Sequence, residues 1–331
     1  MKKACISGVG HYLPERIVTN QELGEMLEVN DEFIVKLTGI RTRRWAPEGE
    51  TVSNMALKAS QNALDQAGLA PDDIGMIIFS TMSSDHQFPG GGCDLQHQLG
   101  IPGIPALDIR NACNGFVYGL SVADQYIKTG MYEHILLVGA ELQSTSLDLS
   151  PNGKNVSILF GDGAGAAVIS DTNDENRGIL NTQIYSDGSH ADKLILKAPS
   201  PNDHPRLSKE LMESNRIYPH MDGRAVFKHA VTRFPEVIQE AIQKAGYELA
   251  DLDLIVPHQA NLRISEMVAH KLRIDKEMVY SNIEHCGNTT SASIPIALSE
   301  AVENGRIKKG SLVCVAAFGA GFAWGSALVR W

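Results

Sequence analysis

Three residues of this chain have side chains that could together perform thioester chemistry: Cys113, His258 and Asn288. Cys113 lies in DIRNACNGF (108–116), where an apolar run ends and a helix-like run begins. A helix N-terminus lowers the pKa of a thiol, and the thiolate is the reactive form of cysteine. Free cysteines are more often inert buried residues, so this stretch alone leaves a nucleophile and a buried hydrophobe as alternatives.

His258 and Asn288 lie in two motifs of the second half. His258 follows a buried-looking strand in LIVPHQANLRI (254–264), and sites collect at the ends of strands in α/β sheets. Asn288 lies in a glycine-flanked turn in HCGNTTSASIPIAL (285–298), where an ordinary turn or capping asparagine is the alternative. A thiolate can hold an acyl group, and neutral donors can stabilise an enolate oxygen beside it. These residue types fit decarboxylative Claisen condensation, but also a cysteine-dependent thioester hydrolase.

A third stretch, AAFGAGFAWGSALV (316–329), predicts a strand, a Gly-Ala-Gly turn and a second strand. Its small residues let the backbone approach a ligand and expose N–H groups. A tight hairpin without a ligand is the alternative.

The chain contains an internal repeat that positions these motifs. Residues 63–78 and 241–256 align without a gap at an offset of 178 (241 minus 63), and 121–140 resembles 297–320. Two matches in the same order indicate two related halves, each alternating helix and strand, which predicts an α/β fold with mostly parallel strands. Cys113 shifted by this offset falls on Ser-Ala-Ser, so only the first half carries a thiol and the second half should supply the groups that use it.

The repeat also predicts how helices and sheets are layered. Several helices are rich in small residues, as in SNMALKASQNALDQAG (53–68). A helix that is small and apolar all round is typically buried between layers. We therefore expect this helix in a central layer shared by two sheets.

The composition excludes several classes of protein. With 331 residues, 43% hydrophobic and 21% charged, the chain is expected to be soluble and globular, and no apolar run is as long as a membrane span. The net charge of −10 argues against general nucleic-acid binding. The five cysteines form no CxxC pair, which predicts a reducing cytoplasm and no structural metal. The N-terminal stretch predicts a first strand rather than a signal peptide.

The chain resembles the β-ketoacyl-acyl carrier protein synthase III family of thiolase-like condensing enzymes. The resemblance runs nearly end to end, through GVGHYLPERIVTN, DEFIVKLTGIRTRR, SSDHQFPGGGC, ACNGF, FGDGAGAAVI, VPHQANLRI, HCGNTTSASIPIAL and FGAGFAWGSALVRW. It implies two duplicated βαβ halves that form a five-layered αβαβα sandwich. Residues 1–173 would carry the nucleophile, 174–222 would connect the halves and shape the substrate entrance, and 223–331 would carry the histidine and asparagine.

The resemblance also implies a role for each residue. Cys113 would accept the acyl group, and His258 and Asn288 would bind the malonyl thioester carbonyl and promote decarboxylation. The backbone N–H groups of Cys113 and Ala320 would form the oxyanion hole, and Phe318 would shield the carbanion. The reaction would join an acyl thioester primer to malonyl-acyl carrier protein and give 3-oxoacyl-acyl carrier protein, which starts fatty acid synthesis. Coenzyme A and carrier thioesters would be substrates, and no metal or cofactor would be needed.

Binding residues and partners follow from the same resemblance. The implied partners are an acyl carrier protein, acyl-coenzyme A and a second copy of the chain, in the cytoplasm, without nucleic acid or membrane insertion. Phe88 matches the residue that reaches into the neighbour's acyl pocket. Gln259 and Arg263 would bind the acidic carrier protein, and Arg41, Arg43 and Arg44 would add positive charge. The residues expected to bind substrate are Phe33, Phe88, Lys154, Gly223, Arg224 and Asn261.

Departures from the family pattern leave the primer open. Phe33 and Leu37 stand where a tryptophan and an arginine often stack the adenine of coenzyme A, and Arg224 replaces an asparagine that contacts pantetheine. The segment 197–221 is longer than in housekeeping enzymes, and Gly90–Gly92 make one loop unusually small. These departures predict a longer, unusual or carrier-bound primer, and they keep a condensing enzyme of specialised metabolism as an alternative.

Overall fold

Strands and helices alternate along most of the chain in the computed structural model, which describes residues 2–331. The strands are β1 Lys3–Tyr12, β2 Ile17–Thr19, β3 Thr42–Arg44, β4 Met76–Ser80, β5 Ala106–Ile109, β6 His134–Glu141, β7 Gly163–Thr172, β8 Gly178–Ser186, β9 Leu194–Ile195, β10 His220–Met221, β11 Leu254–Pro257, β12 Leu312–Gly319 and β13 Ala323–Arg330. The helices are α1 Asn20–Leu27, α2 Asp31–Thr38, α3 Val52–Ala67, α4 Gly91–Leu99, α5 Gly115–Lys128, α6 Lys209–Met212, α7 Gly223–Lys244, α8 Leu262–Leu272, α9 Ile283–Cys286 and α10 Ser293–Glu303. No helix of this described part is both long and apolar enough to cross a membrane.

The two main sheets have the same strand order. The first runs β1-β7-β6-β4-β5, with β6, β4 and β5 parallel and β1 and β7 antiparallel to their neighbours. The second runs β8-β13-β12-β11, with β12 and β11 parallel. Its fifth strand is reduced to a single parallel bridge between Ile255 and Val279. The predicted duplication into two halves is confirmed.

Five layers follow from how the helices pack on these sheets. The central core consists of apolar side chains of α5 and α10 packed between both sheets. Helix α3 covers the outer face of the first sheet, and α7 and α8 cover the outer face of the second. The predicted αβαβα sandwich is therefore confirmed.

The position predicted for the alanine-rich helix was wrong. Helix α3 lies in an outer layer, and it exposes Asn54 and Lys58 to solvent. Its small residues serve close approach to β1 instead, because a Cβ placed on Gly8 would lie 2.7 Å from the backbone nitrogen of Ala67 and 2.9 Å from its Cβ. Small residues at a helix–strand contact and in a fully buried helix look alike in sequence.

The connecting segment is shorter than predicted. Residues 178–186 form β8, which pairs with β13 and so belongs to the second sheet rather than to a linker. The remaining part, 187–222, holds the β9–β10 pair and α6. The predicted boundary at residue 223 coincides with the start of α7, where the side chain of Asp222 accepts the backbone N–H of Ala225 at 3.0 Å.

The duplication extends to the backbone before the two central helices. Ala112 precedes α5 with φ +45°, and Thr290 precedes α10 with φ +51°. Both are non-glycine residues in the left-handed region, which is uncommon and costs free energy. Their separation, 290 minus 112, is the same 178 residues as the repeat. Each half therefore forms the same sharp turn directly before its central helix.

Candidate active site

Cys113 lies in the short turn Ala112–Asn114, between β5 and α5. The side chain of Asn114 donates a hydrogen bond of 2.6 Å to the carbonyl of Ala323, which ties this turn to the hairpin of the second half. Gly319 at the end of β12 lies against the cysteine: a Cβ placed there would be 2.6 Å from Cβ and 3.1 Å from Sγ of Cys113. Glycine at 319 is therefore what allows the two halves to meet at the thiol.

The thiol of Cys113 is protonated in the resting structure. Burial, with a smaller contribution from the carboxylate of Glu141, raises its pKa to about 12, against the opposing effect of the backbone N–H groups of Cys113 and Ala320. The N–H groups at the helix start lower the pKa of this thiol, in the predicted direction, but burial outweighs them and the net shift is upward. A cysteine that is 7% exposed loses more hydration of its thiolate than the adjacent N–H groups replace.

His258 directly follows β11, and its backbone N–H donates 2.8 Å to the carbonyl of Ala316 on β12. The side chain is 2% exposed, and burial lowers its pKa to about 3, so the imidazole is neutral. Its Nδ1 lies 2.6 Å from Oγ of Ser293, which also accepts the N–H of Gln259. In the tautomer in which the serine hydroxyl donates to Nδ1, the imidazole carries its proton on Nε2. Nε2 has no hydrogen-bond partner among the described residues.

Asn288 is held on both sides by the segment around Phe160. Its N–H donates 2.8 Å to the carbonyl of Leu159, and its own carbonyl accepts the N–H of Gly161 at 3.1 Å. The side-chain Oδ1 accepts the N–H of Thr290 at 2.9 Å. This bond leaves Nδ2 as the donor end of the amide. Asn288 and His258 thus each keep one neutral N–H donor uncommitted.

Ala320 and Phe318 lie in and beside the turn between β12 and β13. Ala320 directs its N–H at the thiol of Cys113. Phe318 is buried, and its ring centre lies 4.9 Å from that of Phe322. The hairpin predicted from the Gly-Ala-Gly turn is therefore present, and one N–H of its turn faces the cysteine.

A cavity of about 910 Å³ opens onto the thiol. Cys113, Thr290 and Ala320 form part of its wall, whereas His258 and Asn288 lie outside that wall, in the buried layer next to it. The remaining wall is mixed, and apolar atoms form the larger part of its surface. Its apolar residues include Val52, Met82, Leu142, Phe160, Leu194, Ile195 and Leu196, and its polar or charged residues include Glu50, Asp85, His86, Gln87, Asp94, His97, Gln98 and Arg110. The structure therefore gives the cysteine an accessible space and places the two predicted donors on neighbouring buried elements.

Comparison with known proteins decides the family. The family model for 3-oxoacyl-[acyl-carrier-protein (ACP)] synthase III matches residues 107–188, and the model for its C-terminal part matches residues 242–331. The chain is 45% identical over 325 residues to β-ketoacyl-[acyl-carrier-protein] synthase III 1 of Vibrio vulnificus (strain YJ016), covering 98% of each chain. The chain belongs to the β-ketoacyl-[acyl-carrier-protein] synthase III family. It is a condensing enzyme of the acyltransferase type, as the sequence resemblance predicted.

Two solved structures extend this comparison. The crystal structure of 3-oxoacyl-[acyl-carrier-protein] synthase III from Aquifex aeolicus VF5 has a TM-score of 0.91 and 40% identity, covering 99% of this chain and 100% of the other. The priming β-ketosynthase of the R1128 polyketide biosynthetic pathway has a TM-score of 0.90 and 33% identity, covering 99% and 96%. Members of this synthase fold are therefore similar to the chain over its whole length.

The residues expected to bind substrate differ in how accessible they are. Lys154, Gly223 and Arg224 are exposed, and Phe33 is half-buried on α2. Asn261 uses its side chain internally: Nδ2 donates 2.7 Å to the carbonyl of Leu37, and Oδ1 accepts the N–H of Arg263 at 2.9 Å. This asparagine therefore caps α8 and fixes it to α2, and any substrate contact would compete with those bonds.

The prediction that Gln259 contacts a carrier protein does not fit the structure. Gln259 is 1% exposed, and its side-chain amide is satisfied inside the protein by Pro257, Tyr280 and Asn282. Its role in this synthase is to hold the turn after His258. The sequence motif gave no signal of this burial.

The basic surface predicted for the carrier protein is also smaller than expected. Arg43 is fully buried, donates 2.7 Å to Oδ1 of Asn20, and has its pKa lowered to about 10 by burial. Arg41 is exposed but paired with Glu284 at 2.8 Å. Arg263 is exposed on α8, with its guanidinium 5.7 Å from the ring centre of Phe227. Arg263 therefore remains the exposed cation of the family motif.

The glycines at 90–92, noted in the sequence as an unusually small loop, leave no open space around them. A Cβ on Gly90 would clash with the carboxyl group of Asp108, and a Cβ on Gly91 would lie 3.0 Å from the ring of Phe79. The space that side chains would fill is already occupied by protein atoms. These glycines instead let the start of α4 pack closely on the first sheet.

Two groups near the site were missed by sequence reasoning. Glu141, at the end of β6, is fully buried and bonded to Ser291 at 2.7 Å. His285 and Glu300 form an ion pair of 3.0 Å just before Asn288, with the thiol of Cys286 3.8 Å from the same carboxylate. Their three side chains offer N, S and O atoms within 4.8 Å of one another, which is also the donor set of a metal site. The signal for Glu141 was the repeat itself, in which VGAE (138–141) aligns with FGAG (318–321).

Proposed function

We propose that this chain catalyses the decarboxylative Claisen condensation of an acyl thioester primer with malonyl-acyl carrier protein, giving 3-oxoacyl-acyl carrier protein at the start of fatty acid synthesis. One observation carries the assignment of the residues. The thiol of Cys113 lines the cavity, the N–H of Ala320 acts on it, and the adjoining buried layer holds a neutral histidine with an unpaired Nε2.

The first half-reaction loads the primer. The sulfur of Cys113 attacks the thioester carbonyl, its proton passes to the departing thiol of the carrier or coenzyme A, and a new thioester forms. The negative charge on the carbonyl oxygen of the tetrahedral intermediate is stabilised by the N–H groups of Cys113 and Ala320. Because the thiol is buried and protonated at rest, it ionises only as the substrate binds.

The second half-reaction forms the carbon–carbon bond. The malonyl thioester carbonyl accepts hydrogen bonds from Nε2 of His258 and Nδ2 of Asn288, which stabilise the enolate left when CO₂ departs. The enolate carbon attacks the acyl carbonyl on Cys113, the carbon–sulfur bond breaks, and the departing thiolate takes up a proton from water to regenerate the thiol. The buried ring of Phe318 keeps water from the carbanion.

The electrostatics of His258 favour condensation over the alternative hydrolase. A cysteine hydrolase needs a histidine that accepts a proton near neutral pH. Burial lowers the pKa of His258 to about 3, so it is a weak base and a good neutral donor. This environment suits stabilisation of an enolate rather than activation of water.

The partners belong to the same proposal. The carrier protein docks through Arg263 at the exposed start of α8, and coenzyme A thioesters serve as primer or are replaced by carrier-bound primers. Phe88, 84% exposed beside the cavity, is covered by a second copy of the chain in a cytoplasmic homodimer. No metal or other cofactor takes part.

A second pathway has one specific observation in its favour. The chain is nearly as similar in structure to the priming β-ketosynthase of a polyketide pathway as to the synthase of Aquifex aeolicus. In this alternative the same chemistry primes a specialised metabolite with a longer or carrier-bound acyl group.

The test is intact-protein mass spectrometry after mixing with acyl-coenzyme A thioesters from acetyl to dodecanoyl, beside Cys113→Ser. A stable acyl adduct on the wild type that is absent from the variant supports the proposal, and the chain that loads fastest identifies the primer. Release of free acid without an adduct supports the hydrolase instead. If only carrier-bound thioesters load, the primer arrives on a carrier protein.

A further inference from the structure

A cluster of three side chains that commonly bind metals lies where α9 meets α10. His285 and Cys286 end α9, and Glu300 lies on α10, 14 residues after the cysteine. Their donor atoms all lie within 4.8 Å of one another, and no second group of three or more such side chains does so within residues 2–331. None of the three lines the cavity at Cys113, so the cluster is separate from the candidate active site.

The distances in the cluster fit a tetrahedral ion. Nε2 of His285 lies 3.0 Å from Oε1 of Glu300, and Sγ of Cys286 lies 3.8 Å from the same oxygen. Zinc binds nitrogen and oxygen at about 2.0 Å and thiolate sulfur at about 2.3 Å, which puts tetrahedral ligands about 3.3 to 3.5 Å apart. The two measured separations lie on either side of this range, so small side-chain movements bring both pairs to metal-binding distances.

The carboxylate of Glu300 is already oriented for this role. Its other oxygen, Oε2, accepts hydrogen bonds from Nδ2 of Asn282 at 3.0 Å and from the hydroxyl of Tyr280 at 3.5 Å. The tyrosine hydroxyl is itself held by Nδ2 of Asn304 at 3.0 Å. In metal sites, ligating carboxylates are typically held by outer hydrogen bonds of this kind. Oε1 therefore remains directed at the histidine and the cysteine.

Burial differs among the three side chains. Cys286 is 1% exposed and the side chain of Glu300 is 16% exposed, whereas the side chain of His285 is 51% exposed. The cluster is thus closed toward the protein and open to solvent beside the imidazole, which allows a water molecule as the fourth ligand. One nitrogen, one sulfur and one oxygen favour zinc and similar transition metals, since calcium and magnesium prefer oxygen ligands.

We propose that His285, Cys286 and Glu300 bind one divalent transition-metal ion, zinc in preference, and that this ion fastens α9 to α10. The thiol of Cys286 passes its proton to water as the sulfur binds, and His285 binds as a neutral imidazole. This inference departs from the expectation of no structural metal drawn from cysteine spacing. That spacing carried no signal because the carboxylate ligand is remote in the sequence.

The position of the ion gives it a structural role. Helix α9 leads through Gly287 into Asn288, and α10 begins at Ser293, whose hydroxyl contacts His258. An ion that joins these two helices stabilises the elements that hold both neutral donors, and it takes no part in the proposed condensation. An ion that binds only the folded chain also raises resistance to unfolding.

Cobalt(II) is the probe, because it takes the same ligands as zinc but has visible absorption. It is titrated into chelator-treated full-length chain that carries Cys93→Ser and Cys113→Ser, which remove the exposed thiol and the thiol in the cavity wall. We expect one ion per chain, with the intense visible bands of tetrahedral cobalt and a thiolate-to-cobalt charge-transfer band in the near ultraviolet. Added zinc should displace the cobalt and abolish both signals, and it should raise the urea midpoint of unfolding.

Three variants in the same background identify the ligands. Cys286→Ser should lose the charge-transfer band and the effect of zinc on unfolding. His285→Gln, at a half-exposed position that the fold tolerates, should weaken cobalt binding at least about tenfold and carries the test if the cysteine variant does not fold. The matched control is His190→Gln, which removes a histidine 3.8 Å from the carboxylate of Asp187 and should bind cobalt like its parent.

Absence of the charge-transfer band from the parent protein overturns the inference, and the cluster is then an ion pair beside an inert thiol. A band that persists in Cys286→Ser, or binding that His190→Gln weakens as much as His285→Gln does, places the ion elsewhere and also overturns it. Neither readout needs an acyl substrate, and Cys113 is already replaced. These outcomes are therefore independent of whether the chain performs the proposed condensation.

Discussion

Gly319 lies against Cys113 at the seam between the halves, so that any side chain at 319 would occupy the space of the cysteine. The nearest atoms to a Cβ built there are Cβ of Cys113 at 2.6 Å and its Sγ at 3.1 Å. No unfilled space remains at this point for an added side chain, because protein interiors are packed as densely as organic crystals. The backbone at Gly319 in the second half therefore limits where the thiol of Cys113 in the first half can lie.

Gly319→Ala should therefore displace the thiol from the N–H of Ala320. A displacement of about 1 Å costs on the order of a hundredfold in rate when reacting groups must be aligned. We expect acyl loading of Cys113 to fall by about that factor, measured by intact mass against time. The control is Gly188→Ala, whose Cβ would meet no atom within 4 Å, and it should load at the wild-type rate. Equal loading by the two variants would contradict the predicted displacement.

Ser293→Ala should separate the two half-reactions. The variant loses the 2.6 Å contact that orients His258 but leaves Cys113 and Ala320 unchanged. We expect malonyl decarboxylation to fall by roughly tenfold to a hundredfold, in line with loss of an oriented enolate donor, while acyl loading is unchanged. Release of CO₂ and acyl-enzyme mass measure the two steps. Ser299→Ala, on the same helix and bonded to His11, should affect neither step. If Ser293→Ala slowed acyl loading and decarboxylation equally, the substitution would have disrupted the structure of the site as a whole.

The free energy of unfolding should depend on pH through two groups whose effects oppose each other. Burial lowers the pKa of His258 from 6.5 to about 3, so the unfolded chain binds the extra proton in that window and stability falls as pH falls. Burial raises the pKa of Glu141 from 4.5 to about 7, so the folded chain binds the extra proton and stability falls as pH rises through that window. Each slope is at most about 1.4 kcal/mol per pH unit.

Urea unfolding at several pH values tests this opposition. His258→Gln should lose the slope that destabilises the protein in acid, so its stability relative to the wild type improves between about pH 6.5 and pH 3. Glu141→Gln should lose the opposite slope, so its relative stability improves as pH rises toward 7. Parallel curves for wild type and both variants would show that these groups are not buried as described.

Arg263→Glu should weaken docking of the acidic carrier protein. Electrostatic steering acts mainly on encounter and falls with salt. We expect KM for malonyl-acyl carrier protein to rise about tenfold at low salt while loading from acyl-coenzyme A is unchanged. The matched variant is Lys271→Glu, which reverses a charge in the last turn of the same helix. An equal rise in KM for both would mean that overall charge, rather than Arg263, governs docking.

The sequence predicted the fold, and it singled out Cys113, His258 and Asn288 as candidates, because both inferences use local patterns. Repeated helix–strand units and short motifs around Cys113, His258 and Asn288 can be recognised in the sequence alone. The properties that it did not predict depend on contacts between distant segments. Gln259 is buried because Tyr280 and Asn282 close over it. The pKa of Cys113 rises mainly because the fold buries the thiol, with a smaller contribution from the carboxylate of Glu141 on β6.

The outer position of α3 was missed for a related reason. An alanine-rich helix can pack closely against any surface that lacks side chains. Here Gly8 and Gly10 on β1 form that surface. At Gly90–Gly92 the missing side chains likewise allow close packing, here of the start of α4 on the first sheet. Small residues predict close approach but not the identity of the neighbour.

The duplication of the fold has provided no redundancy. The thiol belongs to one copy and both neutral donors belong to the other, so neither copy could replace the other if its residues were lost. A fragment that ends before β8 would keep Cys113 and lose His258 and Asn288. The complementary fragment would keep His258 and Asn288 and lose Cys113. The two halves are thus bound to a common evolutionary fate, like two subunits of an obligate heterodimer that happen to share one chain.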